Sequence, residues 1–411
     1  MRARLPDMPR WKLAAIAAAI AALAGAGVGL AVLLGDDEEP ASAPPRATGE
    51  QRGSFLRRLI PPTAAGRGGG PDVPASVAAL ADRMPVERKV AQLFLLGFQG
   101  QDLTAPIYRR LRELDLGGIV IDAPNYSSSD QLASLTGEAR VIADQARHVD
   151  PWVMAPQEGG EFNAFPDLPP VTAAADLRSA REASGEAKRA AGALGDLGIN
   201  GVLAPVVDVA PPDGIALGAR AYSDDPREVA AYADAVVKTY RAAGVLTAPG
   251  HFPGLGIGTE DTRLAPAQVG ATLDQLRAND LVPFRAAIRA GAPAILMSNG
   301  LYATDDFVTP GSLSRALMTG LLRDDLGFEG IAITDDLADP PVTALTSIPD
   351  AAVRAVRAGA DLLYVSGPAA EQKAAYATVL EAVRDGRIGS ARLDEALLRN
   401  LSVKRDYGLV K

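Results

Sequence analysis

Cysteine is absent and histidine nearly so, with only His148 and His251 in 411 residues. The first absence excludes a disulfide framework, a thiolate nucleophile and a cysteine-ligated metal, and it leaves the redox compartment unreadable. The second excludes a histidine-rich metal centre, so no metal and no cofactor are expected. An excess of positive charge is missing too: 41 Lys and Arg stand against 50 Asp and Glu, a formal net charge of -9. Proteins that bind nucleic acid concentrate Lys and Arg on one face, so a neutral ligand fits better than a phosphate backbone. Phosphate-binding loops are also lacking. Neither Gly159-Gly160 nor Gly254-Leu255-Gly256-Ile257-Gly258 leads into Gly-Lys-Ser/Thr or sits in a dinucleotide fingerprint, and tight turns or close backbone approach account for both.

What is present begins with an uncharged apolar run over 13–34, with Arg2, Arg4, Arg10 and Lys12 before it and Asp36, Asp37, Glu38 and Glu39 after it. A helix of about 20 residues crosses a hydrocarbon core of roughly 30 Å. The charge asymmetry puts residues 1–12 in the cytoplasm and the remainder outside, at the cell surface. The competing reading is a signal peptide cut near Ala22-Leu23-Ala24, giving a secreted protein, but the apolar run continues well past that site. Residues 36–75 are rich in Pro, Gly, Ala and Arg without a sustained period, which predicts a disordered tether. Phe55, Leu56, Leu59 and Ile60 interrupt it as either a docking turn or a sticky stretch of linker.

Over 76–411, short apolar runs alternate with stretches of helical period, the pattern of parallel strands each followed by a covering helix. Strands are expected at 90–98, 118–122, 152–155, 201–206, 246–251, 294–299, 330–335 and 361–366, and helices at 131–146, 180–194, 226–243, 283–290 and 314–322. Two further helices, 370–383 and 391–404, follow the last strand. The predicted fold class is α/β, a single (β/α)8 barrel with reactive groups at the C-terminal ends of its strands.

Two segments at such strand ends carry a resemblance. Gly250-His251-Phe252-Pro253-Gly254 and Ile331-Ala332-Ile333-Thr334-Asp335-Asp336-Leu337 are similar to the sugar-binding loop and nucleophile strand of glycoside hydrolase family 3, in its β-N-acetylhexosaminidase branch. Val86–Leu93 resembles that family's opening helix, Leu322–Gly330 its lead-in to the nucleophile strand, and Ala391–Ala396 its closing helix. The resemblance implies a retaining glycosidase for β-linked glycans, in which Asp335 attacks the sugar and Asp336 caps or orients. It implies substrate contacts from Arg220, His251, Gln157 and Glu158, Gln157-Glu158-Gly159-Gly160 being similar to the family signature after the third strand. Without the resemblance, Asp335 reads as a loop or capping aspartate, His251 as a satisfied loop histidine, and Arg220 as a partner for Asp208.

Departures from the family pattern surround these residues. Gly250 stands where the family has a lysine, Pro156 where it has an aspartate, and Glu161 and Ala164 where it has arginines. Arg263, in Asp261-Thr262-Arg263, occupies the place of the proton-donating histidine, and an arginine does not release its proton near neutral pH. Glu260 or Asp261 is the candidate substitute acid, if the loop folds inward; otherwise both belong to a solvated acidic loop. Two functions are therefore in competition. One is a glycosidase of altered specificity, and the other a catalytically inactive relative that binds a glycan or a protein. The oligomeric state is not readable.

Overall fold

The computed structural model describes residues 73–410. The expected span at 13–34, and all but the last three residues of the expected tether, lie outside them. Among the described residues no helix is long and apolar enough to cross a membrane.

Eight parallel strands run in chain order: β1 (Phe94–Gly97), β2 (Gly118–Val120), β3 (Trp152–Ala155), β4 (Gly201–Val202), β5 (Leu246–Thr247), β6 (Ala294–Leu296), β7 (Ile331–Ile333) and β8 (Leu363–Val365). Ladders join β1 through β5 consecutively, β6 to β7, and β8 back to β1. Single parallel bridges, Phe252 to Met297 and Ile333 to Leu362, bring the remaining neighbours together. The pairings thus run round a closed ring, the α/β arrangement of a TIM-like barrel. Each crossover is helical: α1 (Ala75–Arg83) and α2 (Val86–Ala91) precede β1, and α3 (Pro106–Glu113), α4 (Ser129–Ala146), α5 (Ala180–Asp196), α6 (Pro226–Ala242) and α7 (Leu281–Arg289) follow β1 to β5. A segment wound with i→i+5 bonds, Ala316–Asp325, links β6 to β7, and α8 (Ile348–Ala358) links β7 to β8. Helices α9 (Ala369–Arg384) and α10 (Ser390–Asp406) close the chain.

The strands read as unbroken apolar runs because both of their faces are buried, and the period of two divides them. Leu95, Val120, Trp152, Met154, Leu246, Leu296, Ile331 and Ile333 fill the interior, while Leu96, Ile119, Val153, Ile295, Ala332 and Leu363 belong to the core beneath the helices. Gly118 has a packing reason. A Cβ there would come within 2.6 Å of Trp152, whose ring occupies the base of the interior. Trp152 donates from Nε1 to Asn400 Oδ1 of α10 at 2.9 Å and meets Tyr407 edge-on, so α10 seals that end.

Helix starts follow local chemistry. Ser128, Ser179 and Ser347 accept N–H groups of the first turns of α4, α5 and α8, and Asp225 does so for α6, where Pro226 takes the first position. Two expectations need correction. Residues 90 and 91 of the first expected strand belong to α2, since a continuous apolar run fits helix and strand alike. The fourth and fifth strands also end at residues 202 and 247, short of the expected 206 and 251. Pro205 and Pro249 offer no N–H, so the chain goes on with a lone bridge between Val206 and Gly250.

Candidate active site

The C-terminal ends of the strands surround a cavity of about 440 Å³. Its lining includes Pro156, Glu158, Glu161 and Ala164 after β3, Leu203 after β4, Arg220, His251 after β5, Arg263, Leu296 on β6, Asp335, Asp336 and Asp339 after β7, and Tyr364 on β8. Asp208, fully buried after β4, fixes the loop that follows β5. One of its oxygens accepts the His251 backbone N–H at 2.9 Å and lies 2.8 Å from His251 Nδ1, and the other accepts from Leu255 N at 2.7 Å. Burial alone would depress the His251 pKa, but the Asp208 carboxylate outweighs it and the imidazole lies above its ordinary value. His251 Nε2, facing the cavity side, is 3.3 Å from Arg220 Nη2.

Arg220 is held by Glu158 in a fork, Nε to Oε2 at 2.6 Å and Nη2 to Oε1 at 2.8 Å. Burial disfavours the guanidinium charge and Glu158 more than restores it, so its pKa is raised. Asp335 receives no strong donor. Its backbone N–H donates to Ser312 Oγ at 3.1 Å, and Oδ1 accepts only the Asp336 N–H at 3.0 Å. Burial pushes its carboxyl pKa up, with His251, Arg220 and Arg263 pulling it back. Asp336 is committed elsewhere, Oδ1 accepting from Ala338 N and Ser366 N at 2.9 and 3.0 Å.

The model of the Glycosyl hydrolase family 3 N terminal domain matches residues 85–403. The chain belongs to glycosyl hydrolase family 3. That membership puts it among the glycosidases. A "Beta-hexosaminidase" of Stenotrophomonas maltophilia is 32% identical over 295 residues, covering 69% of this chain and 86% of that one. An "Uncharacterized secreted glycosyl hydrolase" of Arthroderma benhamiae is 30% identical over 334 residues, 79% of this chain and 95% of the other. Among solved structures, the family 3 β-N-acetylglucosaminidase of Paenibacillus sp. superposes with a TM-score of 0.73 at 31% identity, over 79% of this chain and 63% of that one. The β-N-acetylhexosaminidase of Beutenbergia cavernae gives 0.71 at 28% identity, over 78% of this chain and 99% of that one.

Within this family 3 barrel, Arg220, His251, Glu158 and Asp335 line one cavity. Arg220 takes Glu158 as its partner, and Asp208, the alternative expected, serves His251 instead. Gln157 is fully buried and lies outside the cavity lining; its amide donates to the carbonyls of Phe165, Leu168 and Pro169 and shapes the loop after β3. Glu260 is exposed and also absent from the lining, because the loop turns it outward. Asp261 is bonded by its second neighbour Arg263, with Nη2 to Oδ2 at 2.6 Å. Burial raises the Asp261 pKa, but the Arg263 hydrogen bonds bring it below the usual carboxylate value, so it carries no proton to give at neutral pH.

Asp339 is the cavity carboxyl that motif reading passed over. It lies beyond the matched Asp335-Asp336-Leu337 stretch and before Pro340-Pro341, where an aspartate ordinarily reads as a helix cap. The pair of prolines is the signal that could have revealed it. They offer no N–H for a carboxylate to cap, and the Asp339 side chain makes no cap bond.

Proposed function

We propose that this family 3 chain hydrolyses β-linked glycosides of uncharged sugars, N-acetylhexosaminides among them, by a retaining mechanism with Asp335 as the nucleophile. The observation that carries this reading is the Asp335 carboxyl, free of any strong donor, at a strand end beside His251 and Arg220. A nucleophile needs lone pairs that are not already engaged, and positive neighbours that keep it ionised. The fork from Glu158 and the bond from Asp208 fix Arg220 and His251, so that both can meet sugar hydroxyls without reorganising.

Substrate charge follows from the lining. Asp122, Glu158, Glu161, Asp335, Asp336 and Asp339 outnumber Arg220 and Arg263, which disfavours anionic sugars. Specificity differs from that of the hexosaminidase relatives, since Pro156, Ala164 and Gly250 supply no side-chain hydrogen bond where family 3 has Asp, Arg and Lys. Each lost contact costs on the order of 1 to 3 kcal/mol. The apolar run at 13–34 supports a location outside the cytoplasmic membrane, held by an uncut anchor. The replaced contacts also support a second reading, a silent barrel that binds a glycan or a protein.

The deciding experiment is release of nitrophenol from a panel of aryl β-glycosides, including the N-acetylglucosaminide, by the full chain and by Asp335→Ala. Turnover that disappears in the variant is expected. A folded chain that cleaves none of them makes binding the better account.

A further inference from the structure

We propose that Asp339 is the proton donor of the reaction, a role that rests on the retaining-hydrolase reading above and that neither Glu260 nor Asp261 fills. After β7 the chain turns back on itself, the Asp339 N–H donating to the Asp336 carbonyl at 3.1 Å, which returns the carboxyl to the cavity that Asp335 faces. Fully buried Asn299 pins this turn. Its Nδ2 donates to the Asp336 carbonyl at 2.7 Å and to Asp339 Oδ2 at 3.1 Å.

The other carboxyls of the cavity are otherwise occupied. Asp122 accepts the Ala123 N–H, Glu158 is locked to Arg220, Asp336 accepts two backbone N–H groups, and Glu161 is exposed. Asp339 alone of these combines a half-buried position, one weak donor and carboxylate neighbours. Burial first, and then Asp335 and Asp336, push it up to about 9, so it holds its proton at neutral pH, whereas at Asp335 the positive charges of His251, Arg220 and Arg263 oppose the rise that burial causes. The two tasks of a retaining pair are thereby divided between carboxyls on one turn.

In the first half-reaction an Asp335 oxygen bonds to the anomeric carbon as the glycosidic C–O bond breaks. The electron pair of that bond goes to the leaving oxygen, which takes the Asp339 proton. In the second, water bonds to the anomeric carbon and gives a proton to the Asp339 carboxylate, and Asp335 departs as a carboxylate.

The test compares leaving groups, using the full chain, Asp339→Asn and Asp339→Ala. A β-linked disaccharide needs its leaving oxygen protonated; a 2,4-dinitrophenyl glycoside does not. Loss of a general acid is expected to lower kcat/KM on the disaccharide by about 100-fold or more, and on the dinitrophenyl glycoside by less than about tenfold. Azide should accelerate Asp339→Ala on the activated substrate and yield a β-glycosyl azide. Retained dinitrophenyl turnover also reports that the variants fold, and Asp339→Asn keeps an acceptor for Asn299. Equal losses on both substrates, or none on either, overturn the assignment. If the wild type cleaves and Asp335→Ala does not, such a result removes Asp339 alone; a wild type that cleaves no glycoside removes the hydrolase reading and this one together.

Discussion

Gly250 is the residue at which this barrel departs furthest from the sugar-gripping loop that it resembles, and the reason is visible one strand away. A Cβ at position 250 would stand 3.0 Å from Leu296 Cδ2 and 3.1 Å from its Cβ. Leu296 therefore occupies the space that a side chain would need, and the replacement involves two positions. Gly250→Lys by itself should destabilise the fold by about 1 to 3 kcal/mol, and it should cost less when made in a Leu296→Ala background. Urea unfolding of the wild type, both single variants and the double variant checks the coupling; additive effects would show that Leu296 does not decide it. Motif spacing makes the missing lysine legible, but not the leucine, because packing across neighbouring strands leaves no short-range pattern. The same limit applies to Asp339. Its role depends on two prolines that deny it a cap and on Asn299, forty residues away in sequence.

At the scale of elements, the eight strands and their crossover helices are readable because burial on both faces writes a continuous apolar run and amphipathic helices write a period of 3.6. Ladder ends are not, since they depend on which backbone groups find partners across a gap. Helix α10 gives a further case. Its regular period says that it packs, but not that Lys404 lies fully buried with Nζ 3.0 Å from Gln92 Oε1. Burial lowers the Lys404 pKa to about 7 from an ordinary 10.5, against the opposing pull of Asp115 and Asp150. The unfolded chain then binds more protons than the folded one between those values, so stability rises with pH across that window. Below about pH 7 both states are charged and the burial penalty is present in full. Lys404→Met lacks this dependence. Denaturation from about pH 6.5 to 9.5 should show the wild type gaining on the variant, with a slope of at most about 1.4 kcal/mol per pH unit. A constant difference would mean that Lys404 stays charged in the folded protein across the whole range.

For the whole molecule, the ring pairing of β8 with β1 and the sealing of its base by α10 make the barrel one cooperative unit. Ending the chain at Gly389 would uncover Trp152 and leave Gln92 without Lys404 and Asn400. That protein should lose its sharp thermal transition and bind a hydrophobic dye, whereas the intact chain should unfold in one step. A truncated form that melts as sharply as the parent would show that the strands close without their plug.

The bond between Trp152 and Asn400 spans 248 positions, and that between Gln92 and Lys404 spans 312. A polypeptide is made from its amino end, so the tryptophan at the foot of the barrel waits through most of translation for the amide that will satisfy it. Until β8 pairs with β1 the sheet has two unpaired edges, and until α10 packs it has an open floor, the conditions under which nascent chains adhere to one another. Whatever holds the growing chain apart from its neighbours must do so until its last helix has emerged.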